Sequence, residues 1–236
     1  MFWNRNRFMK IIRKFRFYNE IIMKVLIVAA TQFELQPFLE VAINYPECDT
    51  LITGVGMVAT AYELGRVLHQ NNAYDILINI GIGGCFDRSL PIGQVVQVVS
   101  DRFIELGAED DEAFLSIEQL GYGKSTFRSP LYLGKEIALP FLPQRHGITV
   151  NKVHGNEETI RRIATLYPES CVESMEGAAV FFAGEKMDLP VIELRGISNY
   201  VEKRNRATWN IPQAIMHSNK ALIQTLDYLR NQFDKI

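Results

Sequence analysis

The sequence is poor in the residues that staple or metallate a fold. Cys48, Cys85 and Cys171 are its only cysteines, odd in number, far apart in the chain and outside any CxxC. That pattern excludes a disulfide framework and a cysteine zinc site, and reads as reduced thiols in a cytoplasmic protein. The 4 histidines are scattered, with no HExxH or other ligand spacing. Positive charge is not in excess: 25 Lys+Arg against 27 Asp+Glu gives a net of −2. A basic footprint for nucleic acid over the whole protein is therefore excluded. No apolar run reaches the roughly 18 residues that span a bilayer. Internal repeats and low-complexity tracts are missing as well.

What remains is an ordinary globular composition, 47% hydrophobic and 22% charged over 236 residues, long enough to bury a substantial core. The charge is uneven. Residues 1–22 hold six bases (Arg5, Arg7, Lys10, Arg13, Lys14, Arg16) and one acid, Glu20, so the rest of the chain carries −7. Phe8, Ile11, Ile12, Phe15 and Ile22 fit one helical face, as in basic helices that lie on membranes. The segment lacks the apolar stretch of an export signal. Because Met23 opens a strand directly, residues 1–22 are read as an upstream start or a poorly packed extension, with no membrane role. Residues 23–236 are read as one domain.

From Met23 the pattern repeats strand, turn, helix. Strands are expected at Lys24–Ala30, Asp49–Thr53, Asp75–Ile80, Gln94–Ser100, Thr149–Val153, Cys171–Glu173 and Pro190–Ile197. Helices are expected over Phe33–Ala42, 57–70, Glu157–Leu166, 175–187 and 212–232. The alternation implies a single α/β domain, its central mixed, largely parallel β-sheet flanked by helices. Residues 101–147, with scattered Gly and Pro, are too long for an ordinary connection and form a candidate substrate loop.

Two glycine clusters follow strands. Gly54-Val-Gly56-Met-Val-Ala59 matches the GxGxxA dinucleotide fingerprint, but the acid at the right spacing, Asp75, precedes its strand. It reads better as a tight turn than as an NAD site. Gly81-Ile82-Gly83-Gly84 reads as a turn whose backbone N–H groups can face a sugar, a phosphate or a water. Three polar positions lie where ligands of α/β sheets collect, at carboxyl ends of strands and at helix starts. Glu34 follows the first strand, Glu176 opens an apolar helix, and Asn199 ends the last core strand. A carboxylate entering an apolar segment such as Gly177–Ala183 must be hydrogen-bonded, and a sugar diol supplies two donors. Each has a structural alternative: a solvated first-turn acid for Glu34, a dipole-stabilised acid for Glu176, a turn former for Asn199.

The sequence resembles the nucleoside phosphorylase/nucleosidase superfamily, its methylthioadenosine/S-adenosylhomocysteine nucleosidase branch, and within that the futalosine hydrolases of the alternative menaquinone pathway. The resemblance runs from Met23 to about Leu229. It rests on Met23–Glu34, Thr53–Ala59, Ile78–Gly84, Glu173–Ala179 and Arg195–Asn199, in order and at matching intervals. The narrower likeness uses Phe103–Asp110, Phe114–Ser116, Val150–Gly155 and the Ser198-Asn199 pair. It implies that Glu34 activates water, that Met175 and Glu176 hold the ribose, and that Asn199 meets the purine near N7 with Ser198 orienting it. It also implies a Gly81-Ile82-Gly83 floor near the reacting centre, with Phe103 and the irregular middle over an aromatic 5′ tail. No cofactor or metal is implied. The expected ligand is a purine nucleoside, and the expected assembly a homo-oligomer in which a neighbour helps close the pocket.

Two departures are informative. Adenine nucleosidases carry an aspartate where Asn199 stands; an amide cannot act as the general acid, but it can donate to N7 or O6 of a 6-oxopurine, which tilts the expected substrate toward hypoxanthine nucleosides. Ile82 stands where those enzymes have a serine near the water. The related phosphorylases place arginines in the first loop and before the glycine cluster. Thr31–Glu34 and Asn79-Ile80 offer no cation, which favours water over phosphate as the nucleophile. Arg195 is read either as the neutraliser of a buried carboxylate or as a strand-end ion pair, Arg204 and Arg206 as a solvated charge run, and His154 as a packed or surface residue. The alternatives left open are a nucleosidase for methylthioadenosine or aminodeoxyfutalosine, and a non-catalytic purine-nucleoside sensor.

Overall fold

The computed structural model describes residues 23–71, 73–132 and 134–233; the basic segment 1–22 lies outside them. Among the described residues, ten strands and five α-helices follow in this order: β1 Val25–Ala29, α1 Gln32–Leu39, β2 Cys48–Ile52, α2 Met57–Gln70, β3 Ile76–Cys85, β4 Val95–Phe103, β5 Gly107–Asp110, β6 Ala113–Ser116, β7 Thr126–Arg128, β8 Gln144–Thr149, α3 Glu157–Leu166, β9 Ser170–Ser174, α4 Gly177–Met187, β10 Val191–Tyr200 and α5 Ile211–Phe233.

Eight strands make one mixed sheet, with β5 and β6 as a separate hairpin. The pairs β1–β2, β1–β3, β3–β10, β4–β8 and β8–β9 are parallel; β10–β4, β3–β9 and β4–β7 are antiparallel. The sheet also closes on itself. The first half of β3 pairs with β1, and Gly84 and Cys85 at its end pair with β9, while β10 covers the other edge throughout. The ring β3–β10–β4–β8–β9 returns to β3. Register shifts at Ile197/Asn199 in β10, Val98/Ser100 between β4 and β8, and His146/Gly147 supply the bends that closure needs.

Strands buried on both faces explain the unbroken apolar runs. Val25, Ile27 and Ala29 of β1 enter one core, with Ile76, Ile78, Ile80, Leu35, Phe38, Leu222 and Leu226, under α1 and α5. Leu26 and Val28 enter the other, with Leu64, Leu68, Leu77, Val180 and Phe181, under α2 and α4. The two-residue alternation of a strand thus divides the core into two layers.

Four expectations are corrected. Gly81–Gly84 is not a turn but the continuation of β3, held by pairing with β10 along its length and with β9 from Gly84. The strand expected at Thr149–Val153 lies earlier, at Gln144–Thr149, because parallel pairing to β4 and β9 ends there. The middle region is partly ordered into β5, β6 and β7. Helix α1 stops at Leu39, three residues short of the expected end. The β3–β9 contact also brings Cys85 Sγ and Cys171 Sγ, distant in sequence, to 3.5 Å; both are free thiols.

One buried side chain ties the back helix to the front loop. Asn219 of α5 accepts from the Phe38 N–H (3.0 Å) and donates to the Glu34 carbonyl (2.8 Å) and the Ile215 carbonyl (2.8 Å). Replacing it by leucine leaves buried backbone groups without partners, at about 1–3 kcal/mol each. Asn219→Leu is expected to lower the unfolding free energy by at least about that amount, read from urea denaturation.

Candidate active site

The loop after β1 places Glu34 through helix chemistry. Thr31 caps α1, with Oγ1 accepting from the Glu34 N–H, while Glu34 Oε2 accepts from the Thr31 N–H (3.1 Å) and hydroxyl (2.9 Å). This reciprocal capping box spends one carboxylate oxygen. The other, Oε1, faces β3 and accepts from the Ile82 N–H at 3.3 Å. Gly81 is glycine for a steric reason: a Cβ there would lie 2.4 Å from Arg195 Nη1 and 2.9 Å from Glu34 Oε1. Gly83 has the same constraint from Val172 Cγ1 (2.8 Å) and the Glu173 carbonyl (2.9 Å).

Glu176 stands at the N-cap position of α4 without capping it. Its Oε1 instead accepts from the Gly56 N–H at 3.0 Å. Gly54 and Gly56 adopt φ of 83° and 100°, a conformation that favours glycine. The GxG turn therefore presents its amide to a protein carboxylate. Asp75 accepts from the Lys24 N–H before β1, at the far end of the strands.

Arg195 joins these pieces. Its side chain is 1% exposed, with Nε 2.7 Å from Glu193 Oε1 and Nη1 3.7 Å from Glu176 Oε2. The two alternatives for Arg195 are one: it neutralises buried carboxylates and does so as an ion pair on the last strand. Burial opposes its charge, but Glu193, Glu176 and Glu34 outweigh that and hold it firmly protonated. Burial pushes the Glu34 carboxyl above its ordinary range, and nearby Glu176 adds to this, while Arg195, the Thr31 hydroxyl and the Ile82 N–H pull the other way.

Asn199 lies two strand positions past Ile197, opposite Gly84. Ser198 Oγ lies 2.7 Å from Asn199 Oδ1 and 3.2 Å from the Gly83 carbonyl, and Asn199 Nδ2 donates to the Tyr200 carbonyl at 2.9 Å. One Nδ2 hydrogen is left for another acceptor. Met175, half-buried, links β9 to Glu176. The structure thus brings Glu34, Gly81, Ile82, Gly83, Glu176, Ser198 and Asn199 onto the contiguous ends of β3, β10 and the α1 and α4 starts. Phe103 lies in an adjoining apolar groove with Met57, Val58, Ala61, Ala179 and Phe182, alongside the starts of α2 and α4. Arg204 packs over the Trp209 ring at 5.1 Å, and Arg206 begins a 3-10 turn, Arg206–Thr208.

Several participants escaped the sequence reading. Thr31 was legible, since Thr-x-x-Glu before an apolar run is a capping-box signature. Glu173 is buried, and His154 gives it both a backbone N–H bond (3.0 Å) and a ring contact. So His154 is packed, but against a carboxylate beside the candidate site. Glu193 and Asp101 are acids inside buried strands, a signal that periodicity alone does not decode. Among the described residues no group of His, Cys, Asp and Glu is arranged to hold a metal ion, and no helix is long and apolar enough to cross a membrane.

A carboxyl whose folded pKa is raised favours folding below its ordinary range and loses that contribution as pH rises through the raised value. Ionised Glu34 is thus a burden at neutral pH, and glutamine retains the capping geometry. Glu34→Gln is expected to melt at or above the parent temperature at pH 7, with the difference shrinking at pH 4, read by calorimetry.

The chain is similar to known proteins over most of its length. The phosphorylase superfamily model matches residues 24–228. The futalosine hydrolase of Streptomyces coelicolor is 33% identical over 173 residues, covering 71% of this chain and 73% of that protein. The 5'-methylthioadenosine/S-adenosylhomocysteine nucleosidase of Colwellia psychrerythraea is 25% identical over 195 residues, 76% of this chain and 79% of that protein. The native structure of Helicobacter pylori futalosine hydrolase superposes with a TM-score of 0.73 at 15% identity, covering 89% of this chain and 100% of that one; at that identity the likeness speaks for the fold. With the family model spanning β1 to α5 and the glutamate–arginine cluster in place at the strand ends, the chain belongs to the phosphorylase superfamily.

Proposed function

We propose that this chain hydrolyses the N-glycosidic bond of futalosine, releasing hypoxanthine and dehypoxanthinyl futalosine, a step of menaquinone biosynthesis by the futalosine route. The observation that carries the reading is the placement of Glu34 and Glu176 near the Arg195 guanidinium, with the Asn199 amide on the same strand as that arginine. The similarity to futalosine hydrolases at 31–33% identity supports the substrate.

The chemistry follows from the free atoms. Glu176 keeps Oε2 and the remaining Oε1 lone pair for the ribose diol, since Gly56 occupies one acceptor site. Met175 packs against the sugar. As the C1′–N9 bond lengthens, the ribose gains oxocarbenium character and the purine gains charge. Asn199 hydrogen-bonds through its remaining Nδ2 hydrogen to N7 or O6 of the departing base, with Ser198 fixing the amide through Oδ1; the purine anion takes its proton from solvent, and Glu34 returns the proton it gains to solvent after turnover. Glu34 Oε1 takes the proton of the water that adds to C1′; its raised pKa makes it a stronger base than an ordinary carboxylate. Gly81, Ile82 and Gly83 form the floor, Ile82 through its backbone N–H rather than a side-chain hydroxyl. Water is favoured over phosphate because Arg195 is committed to Glu193 and Glu176, and an ionised Glu34 repels an anion. Phe103 meets the 5′ substituent.

Purified protein incubated with futalosine, inosine, methylthioadenosine and aminodeoxyfutalosine, followed by chromatography of the released base, tests this. Hypoxanthine from futalosine is expected, with Glu34→Gln slower by about 10²–10⁴. Asn199→Asp is expected to shift the preference toward adenine nucleosides by about tenfold or more. Adenine release without hypoxanthine reverses the substrate assignment, and binding without any release supports a sensor.

We also propose that residues 23–236 form the nucleosidase domain and that it works as a homo-oligomer. Val55 (57% exposed), Val58 (77%) and Tyr62 (68%) stand out from the start of α2, beside the groove that holds Phe103 and next to Gly56. A second copy covering that apolar face closes the Glu176 side of the cleft. Val58→Asp is expected to shift the protein to a smaller species in sedimentation velocity; an unchanged species overturns this interface.

A further inference from the structure

Beneath the Glu176–Arg195 pair lies a second pair of acids, Asp101 and Glu193, of which, among the described residues, Glu193 alone is ion-paired, through one oxygen to Arg195 Nε. Asp101 of β4 is 1% exposed and Glu193 of β10 is 0% exposed. Asp101 Oδ1 accepts from the Thr149 hydroxyl (2.8 Å) and the Arg102 N–H (2.6 Å), and Glu193 Oε1 accepts from Arg195 Nε. Their outer oxygens, Asp101 Oδ2 and Glu193 Oε2, have no hydrogen-bond partner among the described residues. Both border one space. A Cβ on Gly177 would lie 2.2 Å from Asp101 Oδ2 and 2.8 Å from Glu193 Oε2. Position 177 thus takes no side chain because two carboxyls converge on it.

The charges facing this cluster are Glu193 and Arg195 from β10, Asp101 from β4, Glu176 from the turn before α4 and Glu34 from α1. Thr149 of β8 is neutral, and so is Asn79 of β3, the register partner of Glu193; Asn79 Nδ2 and Arg195 Nη2 are buried donors without a partner among the described residues. Fully ionised, four carboxylates would share one guanidinium. Two desolvated carboxylate oxygens that border one space repel each other unless a hydrogen is shared between them. We propose that Asp101 and Glu193 hold one proton between Oδ2 and Oε2, and that this neutral-acid and carboxylate pair positions Glu176. Burial pushes both carboxyls above their ordinary range, Asp101 well above it and further raised by Glu193.

The pair reaches Glu176 from two directions. Through Glu193 it fixes Arg195, which faces Glu176 and Glu34. Through Asp101 it fixes Thr149, whose Oγ1 accepts from the Ala178 N–H (2.8 Å) in the first turn of α4. Neither acid touches the space assigned to the substrate, so both are positioning residues.

The test has a spectroscopic arm and a kinetic arm. Infrared spectra of the full chain at neutral pH, with the aspartate or the glutamate carboxyls isotopically labelled in turn, are expected to show a protonated-carboxyl carbonyl band in one labelling. That band is expected to vanish in Asp101→Asn, whose amide supplies a permanent donor to Glu193 and an acceptor to Thr149. No such band in either labelling, or a band that survives in Asp101→Asn, overturns the proposal. The kinetic arm rests on the hydrolytic reading above; the infrared arm does not, so a failure of one is distinguishable from a failure of the other. With futalosine, Asp101→Asn is expected to retain kcat within about threefold, while Asp101→Leu, which leaves Glu193 unprotected, loses about tenfold or more. An Asp101→Asn enzyme that melts like the parent yet loses as much kcat as Asp101→Leu also overturns it.

Discussion

A single buried guanidinium organises this molecule. Arg195 is surrounded by strands, yet it carries a full charge that water does not stabilise. Burying such a charge is tolerated only with close anionic partners. Those partners are Glu193 and Glu176, with the charge of Glu34 acting from further off, and the three come from different elements. The arginine is therefore a structural requirement on the relative placement of β10, the start of α4 and the start of α1. Closure of the sheet is the backbone expression of that requirement. With β3 paired to β10 on one side and β9 on the other, the strand ends that bear the polar groups meet around one centre.

Much of this architecture was readable from the chain. Helix α2 over 57–70 and helix α3 over Glu157–Leu166 fall where apolar spacing put them, because both are amphipathic: α2 buries Thr60, Leu64 and Leu68 on one face, and α3 anchors through Ile163. The parallel strands were legible as short β-branched runs. Gly81–Gly84 was not, since a glycine run carries the same local signal whether it turns or continues a strand; its extended form comes from pairing on both edges, a tertiary effect. Strand β8 was misplaced because Gln144–His146 is polar and only partly covered, so it lacks the alternation that marks a strand. Closure of the sheet leaves no sequence trace at all.

The site divides in the same way. Glu34, Glu176 and Asn199 were accessible as polar residues at strand ends or helix starts, and the family resemblance gave them roles. Their supports were hidden. Thr31 follows from a capping signature, but Asn219 sits 185 positions from the carbonyl that it binds, and no local pattern links them. Asp101 and Glu193 read as isolated charges in hydrophobic strands. Only the three-dimensional arrangement shows that each faces the other across Gly177.

The dual duty of Glu34 carries a consequence for how such a chain can change over generations. One oxygen completes the start of α1 and the other addresses β3. Shortening the side chain by a methylene, or moving it one position along, would undo a helix terminus and a reactive group at once. Thr31 and Glu34 therefore constrain each other, and a change at either position costs the helix start and the reactive group together.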